Sequence, residues 1–379
     1  MALFHCLLYF KERGVLEFAC AHIDHRWRKE SALEAEILKE QVEKAGVPFY
    51  LEVLDPQKMQ GNLEESCRVA RLAFFRTLCK KYAFQGVCFG HHQGDQAETV
   101  LKRVFEGASL PALQGMSFQT EMDGLILFRP WLSIPKKAIL QFLEENDCSF
   151  FKDATNEDAR FLRGRMRTQI FPYLHEHFGK NVESAFAKLG ADAAELNQFL
   201  EMTLSPLWEQ RSEGPLGIWL LGPGHSSFEA AWCLKRALGE RGEALSYKAM
   251  DTVKELYLEG KANRSIPLEN HTIEIDRSHL FLVKKGVELP PPVVMGSSGL
   301  FGMFKVKIEN ENKSFGWQEA WSGVLSLPKE EAPYEIGAAR QILKASEWKC
   351  FLKGFGNAKV PSFLQDLVPI ARGASGRLY

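Results

Sequence analysis

Two stretches of this chain carry residue types whose spacing could do chemistry. The first is Gly90-His91-His92-Gln-Gly-Asp95-Gln-Ala-Glu98-Thr99-Val-Leu-Lys-Arg103. A short apolar run bounded by glycines, Gly86-Val-Cys-Phe-Gly90, precedes it. Apolar residues then recur at Ala97, Val100, Leu101, Val104 and Phe105, the spacing of one helix face. The stretch reads as the turn from a buried strand into a helix beginning at Asp95. Its polar groups, Asp95, Glu98, Thr99, Lys102 and Arg103, collect on the opposite face and in the first turn. In open α/β sheets ligands bind there, where the carboxyl end of a strand meets a helix N-terminus. A capped helix with a solvated face gives the same pattern. The adjacent His91 and His92 tip the reading toward function, because two stiff polar rings at a strand end serve no packing need. The second stretch is Phe151-Lys-Asp153-Ala-Thr-Asn156-Glu-Asp-Ala-Arg160-Phe-Leu-Arg163-Gly-Arg165-Met-Arg167. Asp153 and Asn156 suit a side-chain-stabilised turn. Arg160, Arg163 and Arg167 share one face of a helix, with Arg165 to the side. These four arginines suit a phosphate or a nucleic-acid backbone, and an exposed helix paired with Glu157 and Asp158 is the plainer alternative.

The elements that must position these groups alternate. Residues 1–10 read as a helix without a cap, as if the chain begins within an element. Leu16–Asp24 reads as a buried strand, Ser31–Ala45 as a helix closed by Gly46, and 47–54 as a strand. Asn62 opens a long helix with Glu65 in a capping box, Glu64 and Glu65 in its first turn and Lys80 and Lys81 in its last. The strand 86–90 and the helix from Asp95 follow. This rhythm predicts a doubly wound parallel sheet. Gly124–Arg129 adds a strand that ends at Pro130, and 136–145 a helix. Beyond Pro172 the texture changes to a long helix over 181–212, helices over 228–238 and 246–258, and two strands over 264–268 and 271–284. Pro290-Pro-Pro292 reads as a linker. Short strand-like runs (304–308, 323–327) and a helix over 345–355 complete the chain. The fold class expected is α/β with two smaller C-terminal α+β domains, divided as 1–178, a linker helix 179–212, 213–289 and 293–379.

Composition narrows the function classes. The 379 residues, 45% hydrophobic and 25% charged, suit a globular protein of two or three domains. A net charge of -1 neither requires nor excludes a nucleic-acid partner, which can bind a local patch. No apolar run approaches the roughly 18 residues of a membrane span. The N-terminus lacks a basic leader and a small-residue cleavage site, so no signal peptide is expected. The eight cysteines contain no Cys-x-x-Cys pair, which argues for a reducing, cytoplasmic setting and against structural zinc or an iron–sulfur cluster.

The chain resembles the tRNA(Ile)-lysidine synthases, members of the N-type ATP pyrophosphatases. The resemblance rests on an ordered set of segments: His22-Ile-Asp24-His25-Arg26-Trp-Arg28, Gly90 to Thr99, Gly107-Ala-Ser-Leu-Pro-Ala-Leu-Gln-Gly115-Met116, Arg129-Pro130, and Asp153-Ala-Thr-Asn156 with Arg160-Phe-Leu-Arg163. It continues through Gly260-Lys-Ala-Asn-Arg-Ser-Ile-Pro-Leu and Leu352-Lys-Gly-Phe-Gly-Asn-Ala-Lys-Val-Pro361-Ser-Phe-Leu-Gln-Asp366-Leu-Val-Pro369. Three departures stand out. The family's phosphate loop, Ser-Gly-Gly-x-Asp-Ser, is absent, and Met1-Ala-Leu-Phe-His is what normally follows it. Gly94 replaces one of two acidic or amide groups, and Gly164 replaces an asparagine. Such a loop cradles pyrophosphate with backbone N–H groups and helps hold Mg²⁺. The expectation is a true start upstream of Met1, and Arg377-Leu-Tyr379, ending as a strand begins, suggests further residues there too.

The resemblance implies a two-step reaction. ATP adenylates the carbon 2 oxygen of the wobble cytidine in the isoleucine tRNA with a CAU anticodon. The ε-amine of free L-lysine then displaces AMP to give lysidine. It further implies Asp95 as a Mg²⁺ or catalytic carboxylate, Arg163 and Arg167 as stabilisers of phosphate charge, and Asp24 and His25 beside the adenosine. His91 and His92 would contact phosphate or orient Asp95, or else be satisfied structural histidines. The segment Arg160, Arg163, Arg165 and Arg167 would grip the anticodon loop, and the C-terminal domains would read the rest of the tRNA. Two alternatives stay in view. One is a related tRNA thiolation enzyme, disfavoured by the missing cysteine pairs; the other is a non-catalytic tRNA-binding relic without a phosphate loop. Whether the chain forms a homodimer is left open by the sequence.

Overall fold

Strand and helix alternate in the N-terminal half as the apolar periodicity requires. In order come α1 (Ala2–Glu12), β1 (Cys20–Asp24), α2 (Ser31–Lys44), β2 (Phe49–Val53), α3 (Leu63–Tyr82), β3 (Val87–Cys88), α4 (Gln93–Phe105), β4 (Gln119–Met122), β5 (Leu125–Phe128), α5 (Lys136–Glu145), α6 (Leu162–Arg165), α7 (Phe171–Phe178) and α8 (Val182–Glu209). This computed structural model describes residues 1–26, 30–54, 63–150, 160–310 and 317–379. The expectations for Trp27 and Arg28, the Asn62 capping box with Glu64 and Glu65, and the Asp153, Asn156, Glu157 and Asp158 segment lie outside the described residues. Two compact units divide the chain, Met1–Leu200 and Glu201–Tyr379.

In the first unit β1 and β2 pair in parallel, with Asp24 opposite Val53. β3 and β5 also pair in parallel, with Cys88 opposite Phe128. Each parallel pair is joined through a helix, as parallel connections require. β4 departs from the all-parallel expectation: it runs antiparallel to β5 at the sheet edge, Met122 opposite Leu125. The two residues between them, Asp123 and Gly124, have φ of 49° and 74°. That is the turn Asp-Gly favours in a two-residue hairpin. Ile23, Leu54, Cys67, Phe75, Leu125 and Leu127 form one apolar cluster, so both parallel pairs pack on α3. A second cluster joins Ala97 and Leu101 of α4 to Met166 and Phe171. It carries the arginine-rich segment back onto the helix that holds Asp95. That segment is not one regular helix: a π-turn, Met166–Ile170, separates α6 from α7. Pro172 follows it, where a missing N–H interrupts the regular ladder.

In the second unit, β6 (Ser212–Gly214), β7 (Gly217–Leu221), β8 (Arg264–Pro267), β9 (His271–Asp276) and β10 (His279–Lys284) form one sheet in the order β6-β7-β10-β9-β8. α9 (Ser227–Gly239) and α10 (Tyr247–Glu259) contribute Leu234, Val253 and Tyr257 to its core. The expected single strand over 271–284 is a hairpin. It turns at Arg277 and Ser278, both at positive φ, and neither residue announces such a turn. Past the prolines come β11 (Val293–Met295), β12 (Gly299–Phe301), β13 (Phe304–Glu309), α11 (Trp317–Trp321), β14 (Val324–Pro328), β15 (Tyr334–Gly337), α12 (Ala339–Ile342), α13 (Trp348–Asn357) and β16 (Ile370–Arg372). They build two three-stranded sheets, β12-β13-β14 and β11-β15-β16. Leu216, Phe281 and Val283 share an apolar cluster with Phe304, Trp321 and Leu364. The parts on either side of Pro290–Pro292 therefore share a core. The two C-terminal motifs also meet: Ser362 donates to Asn263 Oδ1 through both its N–H and its hydroxyl, and Arg277 Nη1 donates to Lys359 O at 2.6 Å.

Candidate active site

α4 begins two residues earlier than its apolar pattern suggests, and the reason is His92. His92 Nδ1 accepts the Gly94 N–H at 3.0 Å, while Asp95 Oδ2 accepts the His92 N–H at 2.9 Å. The pair forms a capping box in which a histidine stands where serine or threonine is usual. His92 thus has a local structural task, one of the alternatives that the sequence leaves open for it. Gly94 suits the arrangement, since a Cβ there would lie 3.0 Å from His92 Cε1. Three side chains of the helix's polar face are not solvated: Asp95 is 8% exposed, Gln96 7% and Glu98 3%.

Buried carboxylates need partners, and one cation serves both. Arg167 Nη2 donates to Asp95 Oδ1 at 2.8 Å and to Glu98 Oε2 at 3.1 Å. Arg167 Nε also bonds Glu98 Oε1. Arg163 Nε lies 4.0 Å from Glu98 Oε2, with its side chain about half exposed. Burial pushes the Glu98 pKa up despite the counter-pull of Arg167. For Arg167 burial works against the charge, but Glu98 and Asp95 outweigh it and hold the guanidinium protonated. Asp95, Glu98 and Arg167 together carry one net negative charge in a largely dehydrated place, which Arg163 offsets only from its half-exposed position 4.0 Å from Glu98. Such a seat attracts a cation.

Gln96 explains the Gly107–Met116 motif. Its Nε2 donates to Gln114 O at 2.8 Å and Met116 O at 3.1 Å, and its Oε1 accepts the Met116 N–H at 2.8 Å. Arg103 adds bonds to Gly115 O and Ala112 O. Gly115 has φ of 68°, and a Cβ there would fall 2.6 Å from Gln96 Oε1. Only glycine fits that turn without displacing the clamp.

The remaining sequence-selected residues fall into two groups. Asp24 ends β1 and is buried, its Oδ1 accepting the Arg26 N–H at 2.9 Å. Burial opposes its charge, yet hydrogen bonds from Ser31 and from the Arg26 backbone lower its pKa. His25 follows, its pKa lowered by burial and by Arg71. His91 stacks on Phe89 at 5.4 Å. Burial, with Arg129, Arg163 and Arg71 nearby, brings its pKa down to about 4 in spite of Asp95. Arg160 and Arg165 form the second group. Arg160 precedes α6 instead of sharing its face, and Arg165 Nη1 donates to Arg160 O at 3.0 Å with both residues exposed. Glu98, Arg71 and Arg129 were not selected as site residues from the sequence. Glu98 was legible as the residue three after Asp95. Arg129 appeared only within a motif, and Arg71 lies in an ordinary amphipathic helix with nothing to mark it.

The histidines make the first unit acid-sensitive. His25, His91 and His92 all have lowered pKa values in the folded chain. Between the ordinary value of 6.5 and about 4 for His91, the unfolded chain therefore binds more protons than the folded one. Stability rises with pH across that window and is lost on acidification. Replacing His91 with glutamine should shrink the loss between about pH 7 and about pH 4.5 by roughly 1–2 kcal/mol. Urea unfolding at the two pH values measures it, and an undiminished loss would mean that His91 titrates normally.

Comparison with known proteins places the chain in a family. Residues 1–174 match the PP-loop domain family. The tRNA(Ile)-lysidine synthase of Protochlamydia amoebophila is 34% identical over 385 residues, covering 98% of this chain and 83% of that protein. The protein of the same name from Chlamydia muridarum is 37% identical over 273 residues, covering 70% of this chain and 84% of its own. The solved U34-tRNA thiolase NcsA from Methanococcus maripaludis with its [4Fe-4S] cluster aligns with 51% of this chain and 67% of its own, at a TM-score of 0.40 and 13% identity, too distant to bear on the argument. With a PP-loop α/β domain at its N-terminal end and relatedness that runs nearly its whole length, the chain belongs to the tRNA(Ile)-lysidine synthase family.

Proposed function

We propose that the protein joins free L-lysine to carbon 2 of the wobble cytidine of the CAU-anticodon isoleucine tRNA, acting as an ATP-dependent carbon–nitrogen ligase. In the first step the cytidine carbon 2 oxygen attacks the α-phosphorus of ATP and pyrophosphate leaves. In the second the lysine ε-amine attacks carbon 2, AMP leaves with the former carbonyl oxygen, and the nitrogen sheds its surplus protons to form lysidine. Support comes from the relatedness across 98% of the chain, and the single structural observation that carries the reading is the buried Asp95, Glu98 and Arg167 set. Its net negative charge suits an ammonium group of lysine, which would displace part of the Arg167 pairing. Arg167 then acts as a positioning residue for the two carboxylates, and Arg163, more exposed, is the cation able to reach phosphate.

The same chemistry bears on Mg²⁺. Among the described residues no group of three His, Cys, Asp or Glu side chains is placed to hold a metal. Mg²⁺ in phosphoryl-transfer sites commonly takes one or two carboxylates and fills its shell with phosphate oxygens and water. Asp95 keeps unused lone pairs on both oxygens and fits that limited part; the bound ion would neutralise charge on the phosphates. Arg160, Arg163 and Arg165 are assigned to the anticodon-loop backbone, Asp24 and His25 to the adenosine, and the parts 213–289 and 293–379 to the body of the tRNA. Among the described residues no helix is long and apolar enough to cross a membrane.

The direct test follows radiolabelled lysine into a CAU-anticodon tRNA transcript. One AMP and one pyrophosphate should be released for each lysine incorporated, with no incorporation unless ATP is present. Binding of tRNA without incorporation, with the purified protein and ATP in excess, would overturn the proposal.

A further inference from the structure

Three buried nitrogen atoms beside this site have no hydrogen-bond partner: Arg71 Nε, Arg129 Nε and His91 Nδ1. They come from three elements, α3, the end of β5 and the turn after β3. Buried donors are ordinarily satisfied, because desolvating one without replacing its bond to water is costly. Phe89 brings them together. The Arg71 guanidinium lies 5.9 Å from its ring centroid and the His91 ring 5.4 Å from it. The Phe89 N–H donates to Phe128 O at 2.8 Å, which sets Arg129, the next residue, alongside. His91 and Arg129 both follow the carboxyl ends of parallel strands, the edge of an open α/β sheet where ligands bind. Among the described residues neither Arg71 nor Arg129 has a carboxylate partner. Arg129 Nη1 is occupied by Ser117 O and Thr120 Oγ1, which fixes the guanidinium while Nε stays without a hydrogen-bond partner. Burial and neighbouring arginines lower the pKa of both. Cations are thus gathered, and Asp95, the carboxylate that faces His91, is already paired with Arg167.

We propose that Arg71, Arg129 and His91 form a receptor for one phosphate group, next to Asp95. Arg71 and Arg129 would each donate an Nε–H to a phosphate oxygen, and neutral His91 would donate from Nδ1 in the matching tautomer. The inference rests on the reading that ATP and tRNA are the substrates. Either can supply the group: a nucleotide phosphate, or a backbone phosphodiester beside the wobble cytidine.

The test measures affinity for ATP and, separately, for a synthetic CAU anticodon stem-loop RNA, with wild type and with Arg71→Gln and Arg129→Lys. The ligand that supplies the phosphate should bind about 10- to 100-fold more weakly to Arg71→Gln. If that ligand is the RNA, the slope of log affinity against log salt should also fall by nearly one. Loss for ATP alone assigns the site to the nucleotide, and loss for the RNA alone assigns it to the tRNA backbone. Unchanged affinity for both overturns the proposal. Should Arg71→Gln not fold, wild type answers the same question: the ligand should protect Arg71 and Arg129 from phenylglyoxal, read by peptide mass, and absence of protection by either ligand would be fatal. Lysine transfer by wild type is scored independently, so a phosphate site without lysine transfer refutes the proposed function and not this inference.

Discussion

Asp95→Asn should reduce lysine transfer by about 10²- to 10⁴-fold, the range for removing a catalytic or charge-stabilising carboxylate. Affinity for tRNA should stay within about threefold, because a single buried carboxylate contributes little to backbone recognition. Asparagine makes the test clean. Its side-chain oxygen can still accept the His92 N–H, so the capping box survives and the cost to helix stability stays near or below about 1 kcal/mol. What disappears is the charge shared with Arg167. Aspartate-to-alanine would remove the cap as well and confound the two effects. Near-normal turnover in Asp95→Asn would withdraw the catalytic and the metal role together. A loss of tRNA binding equal to the loss of turnover would instead make Asp95 a determinant of the fold around the anticodon loop.

The strand–helix turn that holds Asp95 was legible because its signals are local. Apolar residues at helical spacing marked the buried face over the first turns of α4, where Ala97, Val100 and Leu101 are fully or almost fully buried, whereas Val104 and Phe105 at its end are exposed. The fate of the polar face was not legible, because the partner that permits Glu98 to be buried lies 69 residues away. Spacing cannot distinguish a solvated carboxylate from one answered by a distant arginine. The sequence leaves His92 between a phosphate contact and a structural role for a related reason: its ring substitutes for a serine cap, and cap rules written for hydroxyls and carboxylates do not look for it. The Asp123-Gly124 hairpin could have been found, since the dipeptide is its signature, but the polar edge strand β4 lacks the alternation that draws notice. Arg277 and Ser278 carry no such mark. Their turn is imposed by the register of β9 on β10. Arg71 shows the limit most plainly. Only the Phe89 ring and the neighbouring parallel strand reveal it as more than a helix surface residue.

Arg167→Met should destabilise the first unit by about 3–5 kcal/mol near neutral pH, the cost of removing one member of a buried ion pair. The methionine fills most of the space, so the deficit reports Asp95 and Glu98 left without their cation. Arg167→Lys should recover little, because the arginine reaches Glu98 through Nε and Nη2 and Asp95 through Nη2 at once, and one ammonium cannot reproduce that fork. Removing charge from the other side reverses part of the loss. Glu98→Gln in the Arg167→Met background should be more stable than Arg167→Met alone, with a coupling of about 1–3 kcal/mol in the double-mutant cycle. The pH dependence gives an independent reading. Without Arg167 the Glu98 pKa, already raised by burial, rises further, so the folded chain holds a proton that the unfolded chain has released. Stability then falls as pH rises from the ordinary glutamate range toward the raised folded value, and the Arg167→Met deficit should be smaller at about pH 5 than at about pH 8. A deficit equal at both, measured by denaturant midpoint against wild type under the same conditions, would mean that Glu98 is reached by water and that the negative seat proposed for the lysine ammonium does not exist.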